Sequence, residues 1–198
     1  MTTLVAGDRF VLNRLLLDAL AAEVGDRLAA TTVEFAWPVE PFGPVAEVKE
    51  AIGSEEQMLG LLPGAEVAVT EMAPFTERVI AGADALRLIV VCRGGPVNVN
   101  LAAATARGIP VCYTPARNAA ATAEYTVGLL LAAMRRIAEG HKDLTAGVWR
   151  GDFYAYDAAG EELDGKTVGL VGFGAVGGRV ARVLRAFGAE VLVADPYV

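Results

Sequence analysis

Short apolar runs alternate with helix-length segments from the N-terminus to about residue 115. In the first helical segment, Phe10 to Val24, the side chains of Leu12, Leu15, Leu16 and Ala19 recur at helical spacing. The predicted strands are TTLVAG, TTVEFAW, AEVAVT, LRLIVVC and IPVCYT, and the further helical segments are GSEEQMLGLLPG, PFTERVIAGA and NLAAATARG. Ser54 is the predicted N-cap of the second helix. Continuous apolar strands that alternate with helices predict an open α/β parallel sheet covered on both faces.

The pattern changes near residue 116. Asn118 is placed to cap a long helix to about Glu139, with Arg135 and Arg136 in its last turns. A less periodic, acidic and aromatic connection follows, and the strand and helix alternation restarts at Lys166. We therefore expect two domains, residues 1–116 and residues 117–198, the second opening with the long helix.

A glycine-rich loop lies in the second domain, between the predicted strand KTVGLVG and a helix. Its residues are Gly172, Phe173, Gly174, Ala175, Val176 and Gly177, which fit the G-x-G-x-x-G pattern. The first glycine permits a tight turn, the second lets the backbone approach a pyrophosphate, and the third allows close packing of helix and strand. The start of the helix offers free N–H groups to the anion. This context predicts a dinucleotide site, although a turn whose glycines serve packing alone is the alternative.

An acid follows the next strand, as dinucleotide sites require. Asp195 follows the run from Ala189 to Ala194 and lies 18 positions after Gly177, where a carboxylate binds the ribose 2′-hydroxyl. A carboxylate there repels a 2′-phosphate, and the residues after it include no Arg. NAD is therefore favoured over NADP.

Composition narrows the possible partners. The net charge of −7 opposes nucleic-acid binding, and the longest apolar stretch near the middle, Leu129 to Met134, is too short for a bilayer. One His, two Cys and no CxxC or HExxH motif leave no metal site to assemble, so no metal is predicted. The N-terminus lacks a signal-peptide pattern, and we expect a cytoplasmic protein without membrane contact.

Four stretches together resemble the D-isomer-specific 2-hydroxyacid dehydrogenase family, which includes D-3-phosphoglycerate dehydrogenase and glyoxylate reductases. They are VCRGGPVNVNLAAATARGIPVCYTP, RNAAATAEYTVGLLLAAMRR, GEELDGKTVGLVGFGAVGGRVA and AFGAEVLVADPYV. The resemblance implies a flavodoxin-like substrate-binding domain, then the first βαβ unit of a Rossmann-type NAD-binding domain, with a cleft between the domains. It also implies hydride transfer between NAD and a D-2-hydroxy or 2-keto acid, and a homodimer formed around the NAD-binding domain and its long helix.

Several binding roles are implied by the resemblance. The loop Arg93-Gly94-Gly95 matches the family's substrate-carboxylate loop, where bare backbone approaches the anion; an ordinary turn is the alternative. Thr122 and Glu124 match the family's helix pattern, and Thr122 is expected to approach the nicotinamide. After the loop, the family often has Asp-Asn-Ile-Asp where this chain has Val97 to Asn100, of which only Asn98 fits well. The identity of the 2-hydroxy acid stays open, and Arg93 suggests an anionic group at its far end.

The family's catalytic Arg, Glu and His follow the ribose-binding acid, so we expect them beyond residue 198 and the chain alone to be inactive. His141 is expected to be a surface or packing residue, and the carboxylates between Asp157 and Asp164 a solvated loop. Two alternatives to a dehydrogenase remain. One is a non-catalytic NAD-binding or regulatory module. The other is a truncated product whose sheet edges are uncovered.

Overall fold

A computed structural model describes residues 1–198 and divides them into two compact units, Met1–Pro115 and Ala116–Val198. The first unit contains a five-stranded parallel sheet, with strands β1 (Thr2–Gly7), β2 (Ala29–Glu34), β5 (Val67–Thr70), β6 (Leu88–Val91) and β7 (Val111–Tyr113). The strand order in the sheet is β2-β1-β5-β6-β7. A separate antiparallel hairpin consists of β3 (Gly43–Val45) and β4 (Val48–Ala51). This strand order is the flavodoxin-like one, so the predicted fold class is confirmed for the first unit.

Four helices complete the first unit: α1 (Asn13–Val24), α2 (Glu55–Leu61), α3 (Glu77–Gly82) and α4 (Leu101–Ala106). Side chains from the sheet and the helices form a main core, in which Leu4, Met58, Phe75, Ile80 and Ile89 are almost completely buried. A second, smaller cluster contains Val11, Val67, Val69 and Cys92. The predicted cap of α2 is confirmed, because Ser54 Oγ accepts the Gln57 N–H at 3.2 Å. Such caps satisfy donors that the first helical turn leaves free.

Two local predictions for the first unit were wrong in detail, and one element was missed. Helix α1 begins at Asn13 rather than Phe10, because the Asp8 carboxylate accepts the N–H groups of Phe10 and Val11 and forms a turn. Strand β2 starts at Ala29 and ends at Glu34, before the aromatic residues. The hairpin of β3 and β4 was not predicted. In VKEA only Val48 and Ala51 are buried, which lacks the strict alternation of a half-buried strand.

The second unit packs three helices with a two-stranded parallel sheet. Its elements are α5 (Ala119–Met134), α6 (Ile137–Thr145), a 3-10 turn (Gly151–Tyr154), β8 (Thr167–Val171), α7 (Gly177–Ala186) and β9 (Glu190–Ala194). The core joins α5 and α7 through Ala123, Val127, Val180 and Leu184. β8, α7 and β9 form the predicted βαβ unit, in which Thr167 pairs with Glu190 and Val171 with Ala194.

The single long helix to Glu139 was a wrong prediction. Helix α5 ends at Met134, and Arg136 adopts a left-handed φ of 54° before α6 begins. Tertiary contacts explain the break: the Met134 carbonyl accepts the Glu161 N–H at 2.9 Å, and the Arg136 guanidinium binds the Ala158 carbonyl and Glu139. No helix in either unit has both the length and the apolar character needed to cross a bilayer.

Candidate functional site

The glycine-rich loop of the second unit connects β8 directly to α7. Gly172 has a φ of +93°, which favours glycine, and its N–H donates to the Ala194 carbonyl at 2.9 Å. A Cβ on Gly177 would lie 2.2 Å from the Gly172 carbonyl oxygen. A Cβ on Gly174 would meet no atom within 4 Å. The first and third glycines therefore shape the turn, whereas the second leaves open space in front of it.

Several backbone donors of this loop remain free. The N–H groups of Gly174, Ala175 and Val176 donate to no acceptor in the chain, and α7 begins directly after them. The loop residues are exposed or half-buried, so a ligand can reach these donors. Free N–H groups at the start of a ten-residue helix, together with its dipole, make a site for an anion such as a pyrophosphate.

The Asp195 carboxylate lies against the same loop. One oxygen accepts the Phe173 N–H at 2.5 Å and the other accepts the Tyr197 N–H at 2.8 Å. These bonds lower the pKa of Asp195 below its ordinary value, and the bond from Phe173 has the larger effect. The group is therefore ionised at neutral pH, and an ionised carboxylate retains lone pairs for a ribose hydroxyl.

Thr122 is exposed on α5, where its N–H donates to the Asn118 carbonyl and its carbonyl accepts the Thr126 hydroxyl. Its approach to the nicotinamide stays a prediction. Glu124 is also exposed on α5. His141 lies within α6 and is exposed.

Several carboxylates pair with arginine around the start of the connector. The Arg150 guanidinium donates to Glu139, Asp143 and Asp152, and stacks 4.2 Å from the Phe153 ring centroid. Hydrogen bonds from arginine lower the pKa of two of these carboxyls. The bond from Arg150 has the largest effect on the pKa of Asp152, and the bond from Arg136 has the largest effect on the pKa of Glu139. These carboxylates therefore form a charge-paired cluster around Arg150. The carboxylates for which a solvated loop was predicted lie after this cluster and are exposed: Asp157, Glu161, Glu162 and Asp164.

The predicted substrate loop follows β6 in the first unit. The N–H groups of Gly94 and Gly95 donate to no acceptor in the chain, and a Cβ on either glycine would meet no atom within 4 Å. The Arg93 carbonyl accepts the Thr114 N–H at 2.9 Å, which ties the start of the loop to the end of β7. The loop therefore presents two adjacent backbone donors, the arrangement that holds a small anion.

The Arg93 side chain is already paired. One guanidinium nitrogen donates to Glu50 on β4 at 2.5 Å, and another lies 2.9 Å from the Met72 sulfur. The Arg93 side chain is 18% exposed and that of Glu50 is 45% exposed. Glu50 was not predicted as a partner of Arg93, because the hairpin that carries it was not predicted.

The departures after the substrate loop have structural explanations. Asn100 accepts the Ala103 N–H at 3.0 Å and so caps α4, a task that Asn performs as well as Asp. Its amide also donates to Glu47 at 2.8 Å, which Asp cannot do. Asn98 is fully buried and donates to the Ala73 carbonyl at 2.8 Å. Both amides thus hold the backbone around the loop.

Replacing Asn98 with Ala tests this supporting role. We expect a loss of about 1–3 kcal/mol in the unfolding free energy of the first unit, because the buried Ala73 carbonyl loses its donor. Hydrogen exchange of amides in β5 and β6 measures the change. An unchanged unfolding free energy in Asn98→Ala contradicts the assignment.

No group of three His, Cys, Asp or Glu side chains is arranged to hold a metal ion. Cys92 is buried and Cys112 is exposed. Neither unit therefore offers a metal-ligand set beside the two glycine loops.

Comparison with known proteins agrees with this geometry. Residues 127–198 match the family model described as the NAD binding domain of D-isomer specific 2-hydroxyacid dehydrogenases. The chain is 43% identical to YoaD of Bacillus subtilis over 73% of this chain and 43% of that protein. It is 36% identical to D-3-phosphoglycerate dehydrogenase of Mycobacterium leprae over 92% of this chain and 33% of that enzyme.

Solved structures give the same picture of the fold. The TT0316 protein of Thermus thermophilus is 28% identical with a TM-score of 0.72, over 99% of this chain and 58% of that one. D-2-hydroxyisocaproate dehydrogenase, at 22% identity and a TM-score of 0.74, shares the fold over 100% of this chain and 54% of that one. The chain thus spans less than half the length of the two curated relatives. Both the motifs and these matches lead to one conclusion: the chain belongs to the D-isomer-specific 2-hydroxyacid dehydrogenase family.

Proposed function

We propose that this chain is part of an NAD-dependent oxidoreductase that transfers a hydride between nicotinamide and a D-2-hydroxy acid or its 2-keto acid. The observation that carries the proposal is the second unit's loop, where free N–H groups of Gly174 to Val176 lie at the start of α7 and the ionised Asp195 lies beside them. When bound, NAD supplies the hydride acceptor; the chain's own residues bind and orient it.

In this proposal each cofactor-loop residue has a distinct task. Gly172 and Gly177 form the turn, and Gly174 leaves room for the pyrophosphate. The N–H groups of Ala175 and Val176 donate to phosphate oxygens, and Asp195 accepts from the ribose hydroxyls. Thr122 near the nicotinamide is the remaining assignment, and it rests on the family pattern alone.

The first unit, residues 1–116 in this proposal, binds the substrate. The N–H groups of Gly94 and Gly95 hold its carboxylate, because two adjacent free donors in open space suit a small anion. Arg93 lies at the same loop, but its guanidinium faces Glu50. We assign no catalytic acid or base among these residues, and we propose that the 198-residue chain alone binds ligands without turnover.

The test compares two samples. NADH-dependent reduction of glyoxylate and hydroxypyruvate is measured with the protein purified from its natural source, and with the 198-residue chain. We expect turnover by the natural protein, and for the chain alone NADH binding without oxidation. A natural protein that binds NADH but reduces no 2-keto acid contradicts the dehydrogenase and favours a regulatory NAD-binding module.

We also propose a homodimer that forms through the second unit in a cytoplasmic protein. Helix α5 exposes apolar side chains, with Tyr125 70% and Leu129 54% exposed, and Trp149 in the connector is 74% exposed. Apolar exposure of this extent is typical of surfaces that pack against another chain. Sedimentation equilibrium tests the assembly: twice the mass of the chain supports it, and a monomer at millimolar concentration contradicts it.

A further inference from the structure

The Glu50–Arg93 ion pair sets the charge that the substrate loop presents. Arg93 is the first residue of that loop, and Glu50 reaches it from the hairpin of β3 and β4, with 2.5 Å between nitrogen and oxygen. An ion pair at this distance has no net charge. The positive charge of Arg93, which the sequence suggested for an anionic group at the far end of the substrate, is therefore neutralised by Glu50.

Backbone bonds on both sides of Glu50 hold it in this position. The Lys49 N–H donates to the Val97 carbonyl at 3.1 Å, in the segment that follows the substrate loop. The Ile52 N–H donates to the Met72 carbonyl at 2.9 Å, in the segment after β5. Arg93 also contacts the Met72 sulfur, so the guanidinium lies between two fixed neighbours. The pair therefore belongs to the loop's fixed structure and is not a chance surface contact.

We propose that Glu50 is a specificity-determining residue, which restricts the substrate to 2-hydroxy or 2-keto acids whose far end is uncharged. The proposal rests on the proposed function, since it assumes that Gly94 and Gly95 hold the substrate carboxylate. A phosphate or second carboxylate near Arg93 has to displace Glu50 and approaches its negative charge while doing so. A hydroxyl or methyl group at that end meets neither cost.

Binding of two acids to the 198-residue chain tests the proposal. D-Glycerate and 3-phospho-D-glycerate differ only in the distal phosphate, and each is titrated while the amide signals of Gly94 and Gly95 are followed by NMR. We expect the parent chain to bind the phosphorylated acid no more tightly than D-glycerate. In Glu50→Gln we expect the ratio of affinities to change at least about tenfold in favour of the phosphorylated acid, because Arg93 gains a charge-assisted partner.

Two further variants separate pairing from general charge. Glu47→Gln removes the same charge from the same hairpin, but Glu47 binds Asn100 and the Glu77 N–H, so we expect a change below about threefold. The double variant Glu50→Gln, Arg93→Gln is expected to lose the gain completely. A parent chain that already prefers the phosphorylated acid, or an unchanged ratio in Glu50→Gln, overturns the proposal.

Inorganic phosphate keeps this inference apart from the proposed function. Its binding is followed at the Arg93 Nε–H signal, which does not depend on the glycine amides. If neither acid shifts the amide signals of Gly94 and Gly95, the proposed carboxylate site is contradicted. The phosphate titration still decides whether Glu50 neutralises Arg93. Phosphate that perturbs Arg93 in Glu50→Gln and not in the parent supports the neutralising role, and equal perturbation in both overturns it.

Discussion

Replacing Gly177 with Ala is expected to abolish NAD binding and to destabilise the second unit. The new Cβ would lie 2.2 Å from the Gly172 carbonyl oxygen and 3.1 Å from its carbonyl carbon, both rigid backbone atoms. Helix α7 and the end of β8 have to separate, at a cost of about 1–3 kcal/mol, as for other overpacked sites. The separation also moves the free N–H groups of the loop away from one another. Isothermal titration with NAD and thermal unfolding measure the two effects.

Two neighbouring glycines provide matched controls. Gly174→Ala meets no atom of the protein, so we expect unchanged stability, but the Cβ occupies the space needed by the pyrophosphate and NAD binding is lost. Gly178→Ala is likewise open and lies within α7, so it gains about 0.5–1 kcal/mol and keeps NAD binding. Equal NAD affinity in the parent and Gly177→Ala would show that the loop does not bind the cofactor as described.

The second large effect is expected from Asp195→Asn. The asparagine side chain has one acceptor oxygen in place of two. The N–H groups of Phe173 and Tyr197 and the ribose hydroxyls therefore compete for that oxygen. We expect NAD affinity to fall about tenfold or more, since bonds to an ionised acceptor are the stronger ones. The preference for NAD over NADP should narrow, because the charge that repels a 2′-phosphate is gone. Parallel titrations with both cofactors measure it; an unchanged preference refutes the role of Asp195.

The pH dependence of this contact follows from its lowered pKa. Asp195 has a lower pKa in the folded loop than in the unfolded chain, so its contribution to stability is fully present above the unfolded value. That contribution is lost only as the pH falls through the folded value, in the range below about pH 4. We therefore expect the difference in stability between the parent and Asp195→Asn to be constant from about pH 5 to 8 and to disappear in acid. A difference that changes between pH 6 and 8 contradicts this origin.

The sequence predicts those parts of the fold that depend on local pattern. The apolar strands and the loop from Gly172 to Gly177 are visible because their residues are adjacent, and their backbone geometry demands particular residue types. Asp195 is predicted for the same reason, since its distance from the loop is set by one helix and one strand. Ser54 is predicted as an N-cap because serine is among the residues preferred at that position.

The features that the sequence did not predict depend on contacts distant along the chain. Helix α5 ends at Met134 because the Glu161 N–H binds its carbonyl, and no residue near Met134 indicates this. The Glu50–Arg93 pair joins residues 43 positions apart through a hairpin without strand periodicity. Arg93 was expected to be available to an anionic substrate group, and only the structure reveals its partner.

An amide NMR titration of the 198-residue chain with NAD tests the central claim most directly. We expect the largest shifts on Gly174, Ala175 and Val176 and on Phe173, whose N–H donates to Asp195. The response to NADP at equal concentration is expected to be weaker. If NAD shifts other amide signals and leaves these four unchanged, the cofactor site is contradicted, and with it the proposed oxidoreductase.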